Sequence, residues 1–168
     1  ILYRLVKEQP LKGISGEEAR IKFSKLVAES LSYISFLKVT EPISEMSWYK
    51  DVAISKAFSE DYSKLFDLTL RAINLADNKE VNDEEAIRKL GEGWVAEETL
   101  AIAIYAVARH IDNFEDALIA AVNHDGDSDS TGAVAGNIIG AIVGYDATPN
   151  KFKKNLEPND VILAIAAD

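Results

Sequence analysis

A chain of 168 residues, 48% of them hydrophobic, is long enough to bury one substantial core and short enough to form a single domain. Its formal net charge of −10 argues against a nucleic-acid partner, because phosphate-binding surfaces are basic. With no cysteine there is no disulfide frame, no zinc finger and no thiolate nucleophile. An acidic surface attracts cations, and it also serves solubility alone.

The absence of cysteine leans toward the cytoplasm, and the apolar runs are too short for a membrane partner; the opening stretch "ILYRLVKEQP" is too short in apolar residues for a signal peptide and is broken at Lys7, Glu8 and Pro10. It begins at Ile1 rather than at methionine, as expected of a piece of a longer protein. "SGEE" offers a capping box from Ser15 to Glu18, and Phe23, Leu26, Val27, Leu31 and Ile34 then recur at helical spacing. Residues 40 to 59 lack a clean period and read as a connection with a short helical turn. From about Glu60 a stripe of Tyr62, Leu65, Phe66, Ile73 and Ala76 marks a helix ending near Asp77 and Asn78. Asn82 and Glu85 form a second capping box, and Gly91 stops the helix it starts. "TLAIAIYAVA", residues 99 to 108, is apolar on every face, which suits the centre of a bundle and is too short to cross a bilayer. Asp112 and Glu115 suggest a third box, opening a helix with Phe114, Leu118, Ala121 and Val122 inward. No strand-like alternation is present and no solenoid-length repeat recurs, so the expected fold is all-α, a compact orthogonal multi-helix bundle over residues 1 to 168.

"HDGDSDSTGAVAGNIIGAIVG" carries the strongest chemical signal. Gly132, Gly136, Gly140 and Gly144 fall at steps of four, baring one helix face for close approach of a backbone or a ligand. Asp125, Asp127 and Asp129 precede that helix, and crowded carboxylates persist only when solvated, bonded to amides or neutralised by a cation. In a loop Asp127 and Asp129 share a side, and Ser130 adds a hydroxyl, giving hard oxygens of the kind magnesium, calcium and manganese prefer. An N-cap or Asx loop is the competing account. An EF-hand is excluded: counted from Asp125, Ser130 stands where glycine is required and Gly136 where glutamate is, and counting from Asp127 puts Ile138 in that last place.

"LGEGWVAEETLAIAIYAV" followed by "FEDALIAAVNHDGDSDSTGAVAGNIIGAIVG" resembles the C-terminal half of the ADP-ribosylglycohydrolases, the group that includes the dinitrogenase-reductase-activating glycohydrolases. The similarity is closest from Leu90 to Gly144, and "ATPNKFKKNLEPNDVILAIA" resembles the family's closing segment, where a proline precedes a final helix. The resemblance implies an all-α hydrolase with a two-magnesium site, manganese being an alternative, which releases ADP-ribose from modified protein or a small molecule by cleavage at the distal ribose's anomeric carbon. It assigns the metal to Asp127, Asp129 and Ser130, with Asp129 the candidate bridge; serine stands where threonine is common and keeps the hydroxyl. His124, Asp125 and Thr131 are expected to support the ligands from behind, and Gly126 and Gly132 to leave room for a ligand. Trp94, Glu97 and Glu98 are expected to pack and cap. The family's N-terminal threonine, paired aspartates and glycine-rich loop have no counterpart here, so the chain is expected to be the C-terminal part of a longer enzyme, inactive alone, with no general acid or base assigned. A non-enzymatic ADP-ribose reader, a structural relative, and a hydrolase of another ribosyl or nucleotide substrate are the alternatives.

Overall fold

The structure, a computed structural model, describes residues 1–34, 62–154 and 156–166 in full and the backbone of 35, 53–61 and 167. Among the described residues there are nine helices and no strand. In chain order they are α1 (Leu2–Glu8), α2 (Gly16–Ser35), α3 (Ala53–Asp77), α4 (Asp83–Arg88), α5 (Ala96–Arg109), α6 (Phe114–Val122), α7 (Ser128–Ala147), α8 (Asn150–Lys153) and α9 (Asn159–Ala167). None is long and apolar enough to cross a membrane.

The all-apolar stretch lies at the centre, as its composition predicts. Residues 101 to 108 of α5 have no exposed surface, and α5 packs against α3, α7 and α6. Alanine alternates there with larger residues, so neighbouring helices approach closely over Ala101, Ala103, Ala106 and Ala108 while Ile102, Ile104 and Val107 fill the gaps. Each fully buried isoleucine is worth about 1.5–3 kcal/mol relative to exposure. The polar groups carried inward are satisfied. The Tyr105 hydroxyl donates to Asp83 Oδ1 at 2.7 Å, and His110 Nε2 lies 2.9 Å from Asp83 Oδ2, which fixes the start of α4 to the core helix. The Arg109 guanidinium donates to the carbonyls of Ala76, Asn78 and Val81, closing the end of α3 and the turn after it. Buried Thr69 donates to the Leu65 carbonyl one turn back.

Several expectations need correction. The connection read over residues 40 to 59 is helical from Ala53, and its first part lies outside the described residues. The cap expected at Asp112 falls on Asn113, whose Oδ1 accepts from the Glu115 and Asp116 amides at 3.1 and 3.2 Å. Asp112 instead caps a distant helix: both its oxygens accept from the Gly16 amide, at 2.9 and 2.8 Å. That bond occupies the first turn of α2, where the Ser15–Glu18 box was expected. The Asn82 half of the second box forms, with Glu85 N at 2.8 Å, but the Glu85 carboxylate turns to Lys89. Val122 does not face inward; it is 40% exposed. The helix at α1 was missed, although Leu2, Leu5 and Val6 carry its spacing; it packs on α7 and ends at left-handed Gln9 before Pro10.

Candidate functional site

The aspartates sit where α6 hands over to α7. Asp127 is the N-cap of α7, its Oδ1 accepting from the Ser130 amide at 3.4 Å, so the N-cap account holds for this residue. The Asp127 carboxyl lies within hydrogen-bonding reach of the Asp129 carboxyl and the Ser130 hydroxyl. It is held below the ordinary carboxyl range, first by the Asp129 carboxyl, then by the Ser130 hydroxyl and amide. The structure therefore brings Asp127, Asp129 and Ser130 together. Asp129 is exposed, and Asp127 and Ser130 are half-buried.

The loop's position is set by backbone, not by side chains. The Asp127 amide donates to the Glu92 carbonyl at 2.8 Å, and a Cβ on Gly126 would stand 1.8 Å from that oxygen, so this position admits glycine alone. Gly93, at φ +82°, lies against Thr131, where an added Cβ would come within 2.9 Å of Cγ2. The segment 91–93 is in turn held by Glu98, whose carboxylate accepts from the Glu92 and Gly93 amides at 3.2 and 3.1 Å, and by the Thr99 hydroxyl, which donates to the Gly93 carbonyl at 2.7 Å. Glu98 therefore holds the preceding loop instead of capping α5, which has no side-chain cap, and Glu97 pairs with Lys64 at 2.6 Å. Trp94 does not pack: it is 67% exposed, its indole N–H donating to Glu92 Oε2 at 3.1 Å.

Behind the aspartates, His124 Nε2 lies 2.9 Å from Thr131 Oγ1, and the Gly126 amide donates to His124 Nδ1 at 3.1 Å. Thr131 is fully buried and its hydroxyl donates to the Ala121 carbonyl at 2.7 Å. Asp125 is exposed on the wall of a groove of about 1070 Å³ that runs from Trp94 past Val122 and His124 to Gly126; Asp127, Asp129 and Ser130 lie outside its lining. The bare sides of Gly126 and Gly132 face protein, namely Glu92 and Val122. Further along α7 the glycines open out: Gly136 would make ordinary contact with Leu118, Gly140 meets nothing within 4 Å, and Gly144 is a kink at φ +79°. Sequence reading missed the Glu92 carbonyl as the loop's anchor; the only signal was the G-x-G spacing of Gly91 and Gly93 ahead of Glu98.

Two carboxyls held this close remain jointly ionised when a cation lies between them, and an all-oxygen set suits magnesium or manganese. Among the described residues no three His, Asp or Glu side chains are placed to hold a metal ion by themselves, so the set fits only as part of a six-oxygen shell.

No solved structure matches the chain significantly. ADP-ribosylarginine hydrolase Tri1 of Serratia proteamaculans (strain 568) is 36% identical over 111 residues, covering 66% of this chain and 29% of that protein. Human ADP-ribosylhydrolase ARH3 is 30% identical over 93 residues, covering 49% of this chain and 26% of that protein. The matched region thus spans less than a third of either relative's length. The family model for ADP-ribosylglycohydrolase matches residues 18–168, almost the whole of the helical assembly just described, and the chain belongs to the ADP-ribosylglycohydrolase family.

Proposed function

We propose that this chain supplies part of the divalent-metal site of a hydrolase that releases ADP-ribose from modified protein or a small molecule. The observation that carries the reading is the meeting of the Asp127 and Asp129 carboxyls with the Ser130 hydroxyl at the start of α7, in a chain of this family. Magnesium, with manganese as an alternative, supplies Lewis acidity and a grip on ribose hydroxyls when bound. Asp127 and Asp129 would offer the anionic oxygens, Asp129 exposed and Asp127 half-buried. Ser130 offers a neutral oxygen, and the α7 amide end favours negative charge at the same place. Bond cleavage at the anomeric carbon passes through an oxocarbenium-like state, which these residues serve by fixing the sugar's orientation rather than by proton transfer.

Two carboxylates and a hydroxyl would fill about half of a six-oxygen shell, so the remaining ligands would come from another part of the parent protein or from water. The chain alone therefore binds magnesium weakly and hydrolyses nothing, and the parent, which we place in the cytoplasm, is the active species. Asp127→Ala or Asp129→Ala in the parent should abolish release of ADP-ribose while leaving the helical fold intact. Unaltered release would remove the metal assignment. Binding of ADP-ribose with no release from any modified substrate would make the parent a reader instead of a hydrolase.

A further inference from the structure

We infer that His124 is the positioning residue of the aspartate loop: a neutral imidazole protonated on Nε2 that bridges residues 126 and 131 and so sets where Asp127, Asp129 and Ser130 meet. Its geometry stands by itself; its consequence for a cation rests on the metal reading above.

The hydrogen bonds admit one arrangement. The Gly126 amide can only donate, so His124 Nδ1, 3.1 Å away, accepts and carries no hydrogen. A neutral ring then holds its proton on Nε2, which donates to Thr131 Oγ1 at 2.9 Å. Thr131 has a single hydroxyl hydrogen, and the shortest acceptor is the Ala121 carbonyl at 2.7 Å. That carbonyl lies in the last turn of α6, where the helix provides no amide for it. The result is a directed chain from the Gly126 amide through the imidazole and the threonine hydroxyl to the end of α6. It runs through a residue with no exposed surface, so water does not compete at its centre.

The chain closes a ring around the ligands. Gly126 precedes Asp127, and Thr131 follows Ser130, so the two points that His124 joins bracket all three oxygen donors. The outer side of the ring is already fixed by the Asp127 amide on the Glu92 carbonyl and by Gly93 against Thr131. Removing the imidazole frees the inner side alone, leaving the loop docked but its carboxyls able to separate. An amide side chain at 124 is too short to serve both partners: asparagine places an acceptor near the Gly126 amide but reaches no donor to Thr131.

The test uses the 168-residue chain. Nitrogen-15 NMR of labelled imidazole rings should show His124 as the Nε2–H tautomer; a proton on Nδ1 would overturn the inference. Titration with manganese alone, read by calorimetry, should show binding weakened roughly 10- to 100-fold in His124→Ala, the usual cost of removing a residue behind a metal ligand. His124→Asn should recover part of that loss, and Asp127→Ala should remove binding altogether. A folded His124→Ala chain with wild-type manganese affinity refutes the positioning role. If the wild-type chain takes up no manganese, the metal reading falls and the staple is judged by amide exchange at Gly126: faster in His124→Ala by at least a factor of about 10 if the bond is lost, and unchanged if His124 holds nothing.

Discussion

At the residue scale, the approach of Asp127 to Asp129 and Ser130 was legible because their spacing in "HDGDSDST" is a side-chain pattern. The anchor that aims them was not, because a backbone carbonyl such as that of Glu92 has no sequence identity. Glycines show the difference in consequence. Gly126→Ala drives a methyl into the Glu92 carbonyl and should cost about 1–3 kcal/mol or more, since backbone on both sides cannot yield. Gly136→Ala meets only Leu118 Cδ2 at 3.7 Å inside a helix, and should gain up to about 1 kcal/mol. Thermal denaturation of the pair reads both signs. Tyr105 offers a titration. Burial, then the bond to Asp83, raises its hydroxyl well above the ordinary value of 10.0. The folded state therefore holds the proton more tightly than the unfolded one. That contribution is complete below pH 10 and falls by about 1.4 kcal/mol per pH unit above it. Tyr105→Phe should be less stable at neutral pH, leaving Asp83 Oδ1 without its donor, and should lack the alkaline decline in denaturant titrations.

At the scale of elements, helix existence and type could be read from apolar period and the structure follows it closely at α2, the end of α3, and α5. The ends were harder, because capping depends on which residue the tertiary fold leaves free. Asp112 and Asn113 are adjacent, and either could cap α6 by residue type; the structure gives α6 to Asn113 and sends Asp112 to Gly16, 96 residues away. Nothing local distinguishes the two, and only the packing of α2 beside the α5–α6 turn does. Each substitution to alanine should cost about 1 kcal/mol, but they should separate by hydrogen exchange. Asp112→Ala accelerates the Gly16 amide and spares those of Glu115 and Asp116; Asn113→Ala does the reverse. The missed α1 has the same origin as the misplaced caps. Seven residues are too few to be stable by propensity, and the helix exists because Leu5 is buried under α7.

At the scale of the whole molecule, an excess of ten negative charges is borne by a domain whose centre is apolar on every side, so the charge lies on the surface and at the loop that opens α7. A cation binding the folded loop and not the unfolded chain stabilises the whole domain by mass action, about 1.4 kcal/mol at tenfold its dissociation constant, or about 3–5 °C at this size. Asp127 has two possible duties, capping α7 and holding a cation, and one substitution separates them. Asparagine caps a helix as well as aspartate does, so Asp127→Asn keeps the bond to the Ser130 amide and should leave metal-free stability within about 0.5 kcal/mol of wild type. Removing one of two crowded carboxylates also relieves their repulsion, which works in the variant's favour. Its manganese-induced rise in melting temperature should nonetheless vanish, because the site loses half its anionic oxygens. Asp127→Ala should lose the cap as well and melt lower with or without metal. A variant Asp127→Asn that still gains the full shift in manganese would reduce Asp127 to a capping residue and move the cation elsewhere on this acidic surface.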